Sequence, residues 1–192
     1  MDSSSAAKPA GDRRRLAGRS KLVLAAAAAA LAGVGAVVVV ITANSQATTA
    51  QRPLSAKPFA LVQLGGGRTI SLAALAGRPV IINFFASWCG PCKRETPMLA
   101  SFYRSHHGKV LVIGVDANDE TGAALKFVGS EGVRYPVAFD PSASVAVSYG
   151  VLALPQSFFL NARHMIVLHI VGGLTARELT TWAASLASHG PG

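Results

Sequence analysis

Cys89 and Cys92 are the only cysteines in the 192-residue chain, and Gly90 and Pro91 separate them. At that spacing one thiolate attacks its neighbour and closes a small ring, as thiol-disulfide exchange requires. Two blander chemistries use such a pair. A structural disulfide closes too short a loop to stabilise a domain of this size by much. A zinc site needs four ligands, and neither a second C-x-x-C nor a nearby histidine supplies them. A reactive dithiol is the stronger reading.

The flanking residues say how such a pair is held. Val80-Ile81-Ile82-Asn83-Phe84-Phe85 is a β-branched and aromatic run broken by one amide, suited to a strand buried on both faces. From Pro91 onward the chain reads as a helix with Met98, Leu99 and Phe102 on one apolar face, and Pro97 should kink it. The cysteines thus fall at a strand-to-helix turn, where unpaired N–H groups and the helix dipole favour a thiolate over a thiol. Cys89 is expected to be the exposed, low-pKa nucleophile, and Cys92, a turn deeper, the resolving thiol.

At Asn83-Phe84-Phe85-Ala86-Ser87-Trp88-Cys89-Gly90-Pro91-Cys92 the sequence resembles the thioredoxin superfamily, and more closely its membrane-anchored TlpA/ResA-like branch. The lead-in Lys57-Pro58-Phe59, then Gly77-Arg78-Pro79-Val80, and later Tyr149-Gly150-Val151 with Leu154-Pro155-Gln156-Ser157-Phe158-Phe159-Leu160 extend the likeness over about residues 53–189. The resemblance implies a cis Leu154-Pro155 bond facing Cys89. Leu154 then offers backbone hydrogen bonds to an extended substrate, while the proline ring excludes metal. It places Trp88 as a shield and apolar substrate contact, with plain packing an equal alternative. Glu95, three residues past Cys92, becomes a tuner of thiol pKa or a proton carrier; the competing reading is an exposed acid near a helix start. Asn83 stands where cytosolic thioredoxins carry a buried aspartate, so proton management falls to Glu95 or water. No cofactor is implied beyond the Cys89–Cys92 disulfide, and no metal.

Net charge is +9, but it is unevenly distributed. Residues 1–21 hold six Lys/Arg against Asp2 and Asp12, and the region after 44 has no basic run and no aromatic-basic interleaving. Nucleic acid is therefore not an expected partner. Residues 1–21 read as a basic cytoplasmic tail, and residues 22–43 as a transmembrane anchor whose first twenty positions carry no charge. A cleaved signal peptide is the alternative, with small residues at 43–50 available to a peptidase, and a twin-arginine signal at Arg14-Arg15 is a weaker one. Either way the remainder is exported. Residues 44–58 form a linker, and 59–189 a thioredoxin-like domain.

Within that domain, segments 59–63 and 68–71 flank Gly65-Gly66-Gly67 as a hairpin. A short helical turn at 72–76, a strand at 110–115, a crossover helix at 119–131, a strand at 133–139 and a helix at 142–149 follow. A hairpin of 156–160 with 165–170, and a closing helix at 175–187 with Leu179, Trp182 and Leu186 inward, complete the chain. His106, His107 and Lys109 are expected at a helix C-terminus rather than on a metal. This is an α/β fold, thioredoxin-like, with a central mixed sheet flanked by helices, an N-terminal hairpin and a central strand-helix insertion.

The function expected is that of an exported protein disulfide oxidoreductase. The Gly-Pro dipeptide resembles that of reducing thioredoxins, and the family resemblance implies protein thiol or disulfide substrates such as apocytochrome c or copper-site proteins, with a DsbD/CcdA-type membrane donor of electrons. A disulfide-forming oxidase is the opposing enzyme reading. A copper-binding or apoprotein-holding module using Cys89 and Cys92 as ligands is the alternative from another class, opposed by the absence of Met or His close to the pair.

Overall fold

The computed structural model describes residues 54–106 and 108–188. The tail, the expected anchor at 22–43 and the linker up to residue 53 lie outside the described residues. Among the described residues no helix is long and apolar enough to cross a membrane.

The strand leading to the cysteines, β3 (Val80–Phe85), is buried at all six positions, as its apolar run requires. It lies at the centre of a five-stranded sheet. On one side it pairs in parallel with β4 (Leu111–Ala117), which pairs in parallel with β5 (Val137–Asp140). On the other it pairs antiparallel with β6 (Gln156–Leu160), and β6 with β7 (Ile166–Val171). The sheet is therefore mixed. Ahead of it β1 (Ala60–Val62) and β2 (Thr69–Ser71) form the expected hairpin, tied to β5 by a bridge from Gln63 to Ala138.

Among the described residues four α-helices cover the sheet: α1 (Gly90–Ser105), α2 (Thr121–Ser130), α3 (Ser144–Ser148) and α4 (Ala176–Ser188). Period-two alternation along β3 divides the interior. Ile81 and Phe85 join both cysteines and the inward residues of α1, α2 and α4 in one cluster; Val80, Ile82 and Phe84 join the hairpin and α3 in the other. Asn83, between Ile81 and Phe85, is thereby turned toward the cysteines.

Two expectations need correction. The strand expected at 133–139 begins only at Val137, because Pro136 has no N–H for a ladder. Tyr135 then leaves the strand and sends its ring inward over Gly114, where a Cβ would lie 3.1 Å from the ring. In α4 the inward residues are Leu179, Ala183 and Leu186, while Trp182 is 36 % exposed. Ala183 follows the helical period from Leu179 more closely than Trp182 does.

Candidate active site

Cys89 is the N-cap of α1, in extended conformation, with Gly90 and Pro91 opening the helix. Proline suits a position whose N–H has no helical partner. The Cys92 N–H donates to the Cys89 sulfur at 3.2 Å, so a main-chain donor already points at the atom that would carry thiolate charge. Lys93 and Arg94 follow, both exposed, and add positive potential around the pair. The two cysteines form a disulfide, with Cα atoms 5.2 Å apart. Cys89 is not the openly exposed residue expected: it is 4 % exposed, against 0 % for Cys92. Bonded sulfurs and the adjoining chain cover one another, and the order of accessibility still leaves Cys89 outermost.

Trp88 stands out from the surface at 58 % exposure, its indole N–H donating to the Asn118 carbonyl at 2.9 Å. It walls a small cleft of about 160 Å³ with Val151, Leu152 and Leu154, and on its other side a cleft of about 330 Å³ with Asp119 and Glu120. The Leu154-Pro155 peptide is cis. Leu154 packs against the cluster that holds both cysteines, which brings this loop and Trp88 to one end of the domain.

Glu95 is no exposed acid. It is 4 % exposed, on the α1 face turned into the sheet, and accepts from Asn83 Nδ2 at 2.8 Å and from the Leu174 N–H at 2.6 Å. Asn83 also donates to Ser157 Oγ at 3.0 Å. Burial pushes the Glu95 carboxyl upward, against the pull of these two hydrogen bonds. The amide on β3 therefore serves as a donor that holds the helix carboxyl in place. His106 sits at the C-cap of α1, stacked on Phe102, in accord with a helix-end role. Among the described residues no group of three or more His, Cys, Asp or Glu is placed to hold a metal.

A sequence model of the AhpC/TSA family matches residues 54–169. The chain belongs to that family. Over 115 residues it is 38% identical to the thiol-disulfide oxidoreductase ResA of Bacillus thuringiensis, strain Al Hakam, covering 59% of this chain. The match spans 66% of that relative's length, just under two thirds. Among solved structures, a Chlorobium tepidum chain assigned as the thiol:disulfide interchange protein DsbE is 29% identical, with a TM-score of 0.65 over 71% of this chain and 98% of that one. StoA from Bacillus subtilis is 27% identical, with a TM-score of 0.58 over 68% and 98% respectively. The resemblance to ResA-like thioredoxin-fold proteins read from the motifs thus holds across the AhpC/TSA domain of this chain.

The sheet face that holds the cysteines carries another buried acid, which sequence pattern alone does not single out. Asp116, the sixth residue of β4, is fully buried, and neither of its oxygens has an N–H or hydroxyl donor to accept from. Burial first, then the charge of Asp119 and a carboxyl–carboxylate hydrogen bond with it that needs the Asp116 proton, push the Asp116 carboxyl up to about 8. Asp119 accepts the Ser87 N–H and, at 2.9 Å, the Ser87 hydroxyl, and so fastens the turn two residues before Cys89. An acid following a run of valine and isoleucine reads as the end of a strand. Only the continuation of β4 to Ala117 shows that it is inside.

Proposed function

We propose that this chain is a thiol-disulfide oxidoreductase that works through Cys89 and Cys92. The observation that carries this reading is the Cys89–Cys92 pair at the start of α1, with the Cys92 N–H directed at the Cys89 sulfur. In the reduced protein that N–H, the helix dipole and the neighbouring Lys93 and Arg94 favour the Cys89 thiolate. The thiolate attacks one sulfur of a substrate disulfide, and the other leaves with the electron pair and takes a proton. Cys92 loses its proton and attacks Cys89, closing the internal disulfide and releasing the second substrate thiol. Two electrons pass from the dithiol to the substrate. Trp88 and the cleft it shares with Leu152 and Leu154 supply an apolar resting place beside the sulfurs, Leu154 and Pro155 shape the loop against which an extended peptide lies, and Glu95 tunes the thiols.

The direction we propose is reductive, supported by the Gly-Pro dipeptide between the cysteines. Apocytochrome c or copper-site cysteines are the proposed substrates and a DsbD/CcdA-type membrane protein the proposed donor, a reading that rests on the ResA-like character of the chain. Residues 22–43 are proposed to tether the domain on the outer side of the cell membrane, supported by their length and lack of charge. The test is disulfide turnover on insulin with a thiol regenerant, read together with the reduction potential and the cellular redox state of the pair. Catalytic reduction, a strongly negative potential and reduced thiols in cells support the reading. A high potential with a cellular disulfide reverses the direction, and stoichiometric Cu(I) retention without turnover replaces the enzyme by a copper module.

A further inference from the structure

Among the described residues Asn83 Oδ1 and the Tyr135 hydroxyl are buried without a hydrogen-bond partner, and both oxygens of Asp116 are buried with none but the Asp119 carboxyl, a bond that requires a proton between the two acids. All belong to the sheet face that carries the cysteines. Asn83 lies there by alternation between Ile81 and Phe85, and Tyr135 is a member of the same cluster. Asp116 lies there because its neighbours Val115 and Ala117 face the other way, and its cross-strand partners are Phe85 and Phe139. Buried polar groups are nearly always paired, so a cluster of orphans under one reactive site calls for a reason.

We propose that Asp116 is a positioning acid for the exchange reaction: an inner carboxyl that gains and loses a proton past Asp119 and so sets the charge beneath the Cys89–Cys92 turn. This rests on the dithiol reading above and extends it. Asp119 gives the proton an exposed edge. Asp119 is half-buried on the cleft beside Trp88, and it holds Ser87 from the turn that leads to Cys89. The groups able to influence Asp116 divide by element. The loop after β4 contributes Asp119, α1 contributes Glu95 together with the cysteines, the segment before β5 contributes Tyr135, and β3 and β5 contribute only Asn83, Phe85 and Phe139. None of these is a cation, and the exposed Lys93 and Arg94 of α1 and Lys126 of α2 are not among the groups that shift Asp116. With the disulfide closed, the carboxyl keeps its proton at neutral pH. When the disulfide opens, negative charge arrives on sulfur, and an ionised Asp116 opposes it. Ionisation at high pH therefore favours the disulfide over the dithiolate.

The experiment is the equilibrium of the full chain with a glutathione redox buffer from pH 6 to pH 10, for wild type and Asp116→Asn. Glutathione titrates identically in both series, so the ratio of the two equilibrium constants isolates Asp116. The ratio is expected to be flat below about pH 7 and to change by about threefold above pH 8, with the wild-type disulfide the more favoured. Asp119→Asn removes the charge that raises Asp116 and is expected to move the onset to lower pH. A ratio that stays flat across the range, or an onset unmoved in Asp119→Asn, overturns the proposal while leaving dithiol exchange standing. Cysteines that do not exchange with glutathione at all overturn the dithiol reading, and this one with it.

Discussion

The two faces of the sheet each hold a buried aspartate near the end of a parallel strand, and the two residues are treated in opposite ways. Asp140, at the end of β5, is 1 % exposed and accepts from the Val145 and Ala146 N–H groups at 3.0 Å each and from Ser144 Oγ at 3.1 Å. It satisfies the open end of α3, on the face away from the cysteines. Asp116, one strand over on the cysteine face, is as deeply buried and accepts nothing. Glu95 shares the cysteine face and is better partnered, but burial raises it as well. One face uses its acid as a structural clamp, while the other keeps titratable groups under-partnered beside a pair of sulfurs. Fully satisfied carboxylates contribute stability, and strained or orphaned ones cluster where chemistry is done.

The largest effect expected from this contrast is on stability. Asp140→Ala strands two main-chain donors at the start of α3 and should cost about 2–4 kcal/mol, without altering the pH dependence of Cys89 alkylation. Asp116→Asn should act in the opposite sense and only at some pH values. The folded carboxyl is raised to about 8 from an ordinary value of 3.8, so folding holds a proton that the unfolded chain releases. Wild-type stability from this group thus falls as pH rises from about 4 to about 8 and is unaffected below that window. Denaturant melts at pH 4 and pH 8 should therefore find the Asn variant relatively more stable at pH 8, by on the order of 5 kcal/mol. Equal behaviour of the two aspartates in these melts would erase the distinction between the faces.

A smaller effect is expected at Glu95. Glu95→Gln removes a negative charge near the thiols and should lower a cysteine pKa by about half to one unit, read from thiolate absorbance during titration of the reduced protein. An unchanged titration curve reduces Glu95 to a strut between Asn83 and Leu174. The smallest effect belongs to Tyr135→Phe, which deletes a buried hydroxyl that has no partner. It should be neutral or stabilising by up to about 1 kcal/mol, and a loss larger than that in a thermal melt would reveal a partner for the hydroxyl.

Much of this was legible in the chain itself. The β3 run, the helix after Cys92 and the glycine-marked hairpin follow from local pattern, because strand and helix periods and turn residues are local properties; Trp88, Leu154 and Pro155 are placed near the cysteines only by the family resemblance. The late start of β5 was not foreseen, although Pro136 carried the signal. In the closing helix, the apolar spacing of Leu179, Trp182 and Leu186 allows Trp182 inward as well as Ala183, and only packing selects Ala183. Glu95 could be singled out but not resolved, since three residues along a helix fix its direction and not what packs over it. Asp116 was out of reach for a stronger reason. Its burial depends on β3, β5 and the Asp119 loop closing around it, and those contacts join residues far apart in sequence.

The central claim is that Cys89 attacks and Cys92 resolves. Replacing the resolving thiol should stop the reaction halfway, so the direct measurement is trapping of a mixed disulfide with a protein disulfide substrate, compared between Cys92→Ser and Cys89→Ser and read on a non-reducing gel. Cys92→Ser is expected to accumulate a thiol-sensitive adduct through Cys89 while Cys89→Ser accumulates far less. Adducts in equal yield from both variants, or from neither, would contradict it.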